Sequence, residues 1–599
     1  MWLAHLFREL NEAAKPSRAI IAAALVLLAA LLLMAVPLGS YWLSYSPYED
    51  DFALILYSAH QYHPNFSSWI TEGFAQYFAN DPSCVARGYA YVRPVVNLTY
   101  FLESFLAPAP RGPHLMLTNI VCYLVSLALV FVLARRFRLG ILGSGLLTFL
   151  CALSPCWYRG LLHSAFRNDA FATMWSLAAF VSALGAYGRG RRWPGLLAAG
   201  LFSVLAVATH EQAILSVGAL VLLVAYREAR AWRHGFPPVK ALAGILLVAL
   251  PAGATILLIN LGNASYSHNS ARGYVLACLG ELVSRPEVGL WSGYLGVELV
   301  RVLTSVTPAG SGNFLCNTPG ASYLVGFGVF GSMALAFYGT SKKTREAILS
   351  GTLLALHAVP SALLRPGLIE PRFYCMDVVW GLIFIGCVLT AARQSGSKFA
   401  ARLAAYSLAG VLAFNVASYA MDIWARRPAL ARRNEVDREA FDSIRSSIAA
   451  WPKARIVIVN DQLGTWSARA MLRMAGVTAQ PVDLLPTIAE EATTDFVRSL
   501  RACETAAAFR RDSRGFAVAV DCPHRCPGFL PGRVPACTEA RYRQAGLLPN
   551  AAWARSVGQA HGLCCPFSHV VPLRKGETAI VVVWKDRLDP PRVSTVTRS

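Results

Sequence analysis

The sequence predicts a polytopic α-helical membrane protein of about eleven spans, followed by a polar C-terminal α/β domain outside the membrane. Three observations predict this class. Of 599 residues, 55% are apolar and only 15% charged, with a mean hydropathy of +0.44; a soluble domain carries roughly 45–50% and about 25%. Apolar runs of membrane length recur between residues 19 and 421. Basic clusters separate these runs in alternation. Together they exclude an ordinary cytosolic enzyme, and also a disordered chain, which would be poor in apolar residues. The net charge of +21 invites a nucleic-acid partner, but in a membrane protein what matters is where the positive charge lies, and no nucleic acid is expected.

The first run, 19–38, is long enough for one crossing. A signal peptide is the competing reading, since a short basic region precedes it. The run is long, however, and no small-residue cleavage site follows in Gly39-Ser40-Tyr41-Trp42, which favours an uncleaved helix. Further runs lie at about 114–134, 139–158, 170–187, 194–209, 212–226, 239–260, 321–338, 347–363, 376–392 and 401–421. The basic clusters begin at Arg135, Arg189, Arg227, Lys342 and Arg393. The positive-inside rule places them, and the N-terminus, in the cytoplasm. The expected location is therefore the inner (plasma) membrane, with the C-terminal domain extracytoplasmic. The stretch Trp193–Tyr226 has basic clusters on both sides and must cross an even number of times. It makes about 51 Å of helix, whereas two crossings need about 60 Å. Its hairpin tip, His210-Glu211-Gln212, is therefore expected at or just below the outer surface.

The domain plan is a transmembrane part over 1–424 and a soluble part over 425–599. Large outer loops are expected at 39–113 and 261–320. In the soluble part, Arg455–Val459, Phe516–Val520 and Ala579–Trp584 read as strands and Trp466–Ala475 as a helix. Six cysteines fall there: Cys503, Cys522, Cys526, Cys537, Cys564 and Cys565. In an oxidising space an even count points to disulfides. Zinc is the competing reading, because Cys522-Pro-His-Arg-Cys526 and His561 with Cys564-Cys565 cluster thiols and imidazoles. Cys278 and Cys316 share the second outer loop as another candidate bridge, while Cys122, Cys151 and Cys387 fall in spans as packing residues.

The candidate chemistry begins at Glu49-Asp50-Asp51, about ten residues past the first span. Neighbouring carboxylates repel, which raises at least one pKa unless a cation intervenes, and a carboxylate at a membrane surface can act as general base toward a hydroxyl. A solvated loop or a helix N-cap accounts for the cluster equally well on its own. Downstream, Arg93-Pro94-Val95 opens an amphipathic stretch, and Leu117-Thr118-Asn119-Ile120-Val121 opens the next span. Later come Thr209-His210-Glu211-Gln212-Ala213 and Glu370-Pro371-Arg372-Phe373-Tyr374.

This ordered set resembles the GT-C superfamily of polytopic glycosyltransferases, in particular its O-mannosyltransferase-like members. Asp50-Asp51 is similar to that family's acidic pair in the first outer loop, Arg93-Pro94-Val95 to its R-P-L/V motif, and Leu117–Val121 to its L-x-N-L-L opening. The family often has His just ahead of that Asn, whereas His114 lies further away. His210 replaces the Lys of an S-K-E-x-A hairpin tip, and Glu370–Tyr374 is similar to E-x-R-Y. The likeness covers residues 15–420 and leaves out the C-terminal domain.

The resemblance implies an inverting transferase that takes a sugar from a polyprenyl-phosphate donor at the outer face. The acceptor is a lipid, glycan or protein hydroxyl. Asp50 or Asp51 would be the base and Glu49 the reserve. The leaving phosphate calls for a cation, for which arginine offers a bidentate fork. Arg93, Arg159, Arg167, His210, Arg365 and Arg372 are outer-face candidates. Arg93 and Arg372 come first because of their motifs, with His210 and Arg167 behind them. Each is equally explained as an interfacial anchor or ion-pair partner, Arg167 with Asp169 and Arg372 with Glu370. Clustered carboxylates also suit Mg²⁺ or Mn²⁺, but no Asp-x-Asp triplet is present and no metal or other cofactor is expected. The rival readings are a lipid-linked-sugar flippase or transporter, an O-antigen-ligase-like enzyme working through Arg and His, and a membrane anchor for the C-terminal domain. Coupled transporters usually place ionisable groups inside their spans, and these spans are nearly free of charge.

Overall fold

A computed structural model describes residues 16–47, 93–106, 114–187, 192–210, 213–264, 345–364, 375–459, 471–477, 480–485, 506–512, 515–525, 563–583 and 590–598, with isolated positions between 55 and 68 and at 338. The chain divides into two compact units. One comprises residues 1–42, 58–107 and 113–427; the other comprises 43–57, 108–112 and 428–599.

The first unit is helical. Its helices are α1 (Pro16–Leu43), α2 (Pro94–Glu103), α3 (His114–Arg136), α4 (Ile141–Leu153), α5 (Arg167–Ala186), α6 (Arg192–Thr209), α7 (Ala213–Arg233), α8 (Pro238–Ala264), α9 (Arg345–Leu364), α10 (Cys375–Gln394) and α11 (Lys398–Tyr419). Among the described residues, seven helices are long and apolar enough to cross a membrane: α1, α3, α5, α6, α8, α10 and α11. The chain is a multi-pass membrane protein. The expected run 321–338 lies outside the described residues, save position 338.

Burial sorts the spans. Of these seven, α10 is the most enclosed, with 78% of its apolar window covered by protein, whereas α1 is 11% enclosed. A helix apolar on every side and left uncovered faces lipid. Trp380 of α10 is fully buried against Phe137, Phe180 and His357. Helices α6 and α8 pack so closely that a Cβ at Gly200 would collide with the Leu247 carbonyl oxygen. At one end of this group, Glu228 of α7 is buried and paired with Arg192, and it accepts a hydrogen bond from the Tyr187 hydroxyl at 2.9 Å. Burial, with that carboxylate beside it, pushes the Tyr187 phenol well above its ordinary pKa. The Arg192 guanidinium also lies 3.8 Å over the Phe236 ring.

The run 139–158 is not a single span. Helix α4 stops at Leu153 after 13 residues, about 20 Å of rise. Ser154 is extended, with φ −74° and ψ 133°, because the ring of Pro155 disfavours the α region in the residue before it. Short turns then follow at Pro155–Tyr158, Arg159–Leu161 and Ser164–Phe166. The end of α1 holds them: Tyr41 Oη donates to the Leu162 carbonyl, and Trp42 Nε1 to the Leu161 carbonyl at 2.9 Å.

The second unit carries α12 (Arg427–Ala450), whose Val436, Ala440, Ile444 and Ile448 form a buried stripe at helical spacing. A four-stranded sheet has the order β2-β1-β6-β7, and a three-stranded antiparallel sheet the order β3-β4-β5. The strands are β1 (Arg455–Val459), β2 (Val482–Leu485), β3 (Ala506–Asp512), β4 (Gly515–Arg525), β5 (Leu563–Pro572), β6 (Thr578–Val583) and β7 (Arg592–Thr597). β1 runs parallel to both β2 and β6, while β7 is antiparallel to β6. The strand register sets Cys522 opposite Cys564. Cys503, Cys526, Cys537, Cys278 and Cys316 lie outside the described residues.

Candidate functional site

The site lies in the helical unit, where α2, α3, α5 and α10 meet the short turns at 155–166. Pro94 starts α2 at a position where its missing N–H costs nothing. Arg93 is the N-cap of that helix and is half-buried. Helix α2 turns Asn97, Tyr100 and Glu103 inward.

Arg167, the first residue of α5, is completely buried. Its Nε donates to Asn119 Oδ1 at 3.1 Å, and its Nη1 to Thr99 Oγ1 at 3.0 Å and Glu103 Oε2 at 2.9 Å. Its Nη2 donates to the Leu115 carbonyl at 2.7 Å, and the guanidinium stands 4.1 Å over the Tyr100 ring. Thr118 Oγ1 donates to the other Glu103 oxygen. One guanidinium thus joins α2, α3 and α5. Arg167 carries these contacts inside the protein, with no exposed surface. The carboxylate it pairs with is Glu103.

Asn119 extends the network. Its Nδ2 donates to the carbonyls of Gly160 at 2.8 Å and His163 at 3.0 Å, and Tyr100 Oη lies 3.0 Å from Ser164 Oγ. The Asn of the Leu117–Val121 stretch therefore holds the turns in place.

Beside this scaffold is a small cavity lined by Asn119, Cys156, Trp157, Asp169, Thr173 and Cys375, among others. Cys375 Sγ donates to the Cys156 carbonyl at 3.0 Å. Asp169 lies in the first turn of α5 and is 7% exposed. Its Oδ1 stands 3.6 Å from Nε2 of His210, itself 4% exposed. His210 follows the last turn of α6, so the hairpin tip delivers an imidazole to a carboxylate of the cavity wall. Among the described residues, no group of three or more His, Cys, Asp or Glu side chains is placed to hold a metal ion.

Of the residues singled out by sequence, the structure brings Arg167 and His210 to this region, with Arg93 at the head of α2. Glu49, Asp50, Asp51, Arg365 and Arg372 lie outside the described residues, as do Glu211 and Gln212. Sequence reasoning missed Glu103 as the counter-charge and Asp169 as a site residue. The signal for Asp169 was present: a carboxylate at the aqueous end of an apolar helix, one of few near the spans.

No family model matches the chain, and no curated protein matches it. Among solved structures, it is similar to the Archaeoglobus fulgidus oligosaccharyltransferase in complex with zinc and sulfate, at 14% identity and a TM-score of 0.44, over 77% of this chain and 62% of that one. It is equally similar to the same organism's oligosaccharyltransferase AglB in complex with an inhibitory peptide and a dolichol-phosphate, at 14% identity and 0.44, over 77% and 64%. It is also similar to ArnT from Cupriavidus metallidurans bound to undecaprenyl phosphate, at 14% identity and 0.43, over 79% and 86%. The chain spans less than two thirds of the archaeal chains' length.

Proposed function

We propose that this protein is a GT-C-type membrane glycosyltransferase, moving a sugar from a polyprenyl-phosphate donor to an acceptor hydroxyl at the outer face with inversion. The observation that best supports this reading is the cavity wall holding Asp169 against His210, beside a buried Arg167–Glu103 scaffold that fixes the first-loop helix α2. That pair fixes α2 against α5 beside the wall. The motif resemblance supplies the class of chemistry.

In the proposed reaction Asp50 or Asp51, with Glu49 in reserve, takes the proton of the acceptor hydroxyl. The hydroxyl oxygen attacks C1 of the sugar as the C1–O bond to the carrier phosphate breaks. The departing phosphate carries the charge, and donors aimed at developing charge are often the largest catalytic contribution. Arg93, Arg372 and His210 are assigned to it, whereas Arg167 holds the scaffold. No metal is assigned. The same reading, from the distribution of basic loops, puts the N-terminus in the cytoplasm and the C-terminal unit outside.

Separate Asp50→Asn and Asp51→Asn variants, assayed with a polyprenyl-phosphate sugar in proteoliposomes, test the base. Removing the base is expected to lower kcat by about 100-fold or more. Full transfer by both variants overturns the assignment. Flux of donor across the vesicle without any glycosidic product would make the protein a transporter.

A further inference from the structure

We infer that the end of the bundle where α3, α5 and α7 finish and α9 begins binds the phosphate group of an anionic membrane phospholipid, held by Arg136, Arg227 and Arg345. The inference does not depend on the glycosyl-transfer reading. Basic residues at helix ends are ordinary in a membrane protein, and a solvated guanidinium needs no partner. Here three of them, from three different helices, are drawn to one place. Arg136, the last residue of α3, lays its Nη2 against α5, 3.4 Å from where a Cβ on Gly185 would stand. Two residues further on, the Tyr187 ring lies 5.9 Å from the Arg227 guanidinium of α7. Arg345, the first residue of α9, is near enough to Arg227 to oppose its charge. An ion pair closes the circuit: Arg138, just after α3, meets Glu346 of α9 at 3.2 Å. Further along the same two helices, His357 Nε2 of α9 is 3.1 Å from Ser216 Oγ of α7, which fixes them side by side.

The carboxylates at these helix ends, among the described residues, are Glu228 and Glu346, and both are engaged elsewhere. Glu228 is paired with Arg192 and takes the Tyr187 hydroxyl, and Glu346 is paired with Arg138. The buried Nε of Arg227 has no hydrogen-bond acceptor among the described residues. Burial, and then Arg345, push that guanidinium below its ordinary pKa, against the opposite pull of Tyr187. Cations that repel one another and still converge are stabilised by an anion set between them. A phosphate suits them, because its oxygens accept paired N–H donors and arginine's planar fork supplies that geometry. The surface beside the cluster selects a lipid over a soluble phosphate. Ile348, one turn from Arg345, and Leu222 and Tyr226, just ahead of Arg227, are exposed. They carry apolar surface away from the cations, where acyl chains would lie. Basic pockets between spans take up anionic headgroups on the same physical grounds.

The test is native mass spectrometry of the full chain in detergent, titrated with phosphatidylglycerol. Zwitterionic phosphatidylcholine with the same acyl chains is the control. The Kd for phosphatidylglycerol is expected to be about tenfold lower than for phosphatidylcholine. Arg227→Gln combined with Arg345→Gln is expected to bring the two lipids within about twofold of each other. Arg402→Gln, which removes an exposed cation of α11, is expected to keep the tenfold difference. Equal binding of the two lipids by the wild type overturns the inference whether or not any variant folds. So does a preference that survives the double variant, or one that Arg402→Gln abolishes equally. Glycerophosphoglycerol, the same headgroup without acyl chains, separates the two sources of phosphate. It is expected not to displace the lipid at equal concentration. Displacement there would make this a site for soluble phosphate esters and overturn the assignment to a lipid.

Discussion

At the residue scale, Arg167 and Glu103 set the terms for everything around them. A guanidinium with no exposed surface is tolerable only because a carboxylate, a hydroxyl, an amide and a carbonyl share its N–H groups. Glu103→Gln leaves that charge buried without its counter-ion and is expected to cost about 3–5 kcal/mol. Thermal unfolding in detergent would show it as a lowered Tm. Replacing both residues by leucine should recover most of the loss, since deleting a buried pair costs far less than breaking it. Arg167 could be read from the sequence as an important cation. Its partner could not, because 64 residues separate the two and only the packing of α2 on α5 brings them together. The same holds for Asp169 and His210, each visible alone and paired only by the fold.

At the element scale, packing decides where helices end and how near they come. The apolar run 139–158 has the composition of a span, yet Ser154-Pro155 breaks it and creates the turns that wall the cavity. Proline was legible there; the use of the break was not. Gly200 governs a different contact. Gly200→Val would drive a branched side chain into the Leu247 carbonyl of α8. Overpacking of this kind costs about 1–3 kcal/mol or more. The expected result is a lower Tm with transfer affected only through the fraction folded; a variant as stable as wild type would refute so close an approach.

At the scale of the whole molecule, hydropathy and loop charge predict an N-terminus inside and a C-terminal unit outside. Protease added to inside-out vesicles should then leave the C-terminal unit intact, and added to spheroplasts should remove it. The reverse pattern would invert the topology and take the first-loop acids to the cytoplasmic side. The seven helices able to span among the described residues all coincide with apolar runs the sequence marks, and β1 and β6 with its strand-like runs. The four-stranded order β2-β1-β6-β7 was not, because strand neighbours are set by crossovers rather than by local pattern.

The sequence by itself determined that this chain lives in a membrane and which runs are apolar enough to cross it. Those properties are sums over neighbouring residues: an apolar run prefers lipid whatever it packs against. Only the tertiary structure decided which charges neutralise one another and which faces the cavity. A buried charge must find its partner in space, and that partner can lie anywhere along the chain.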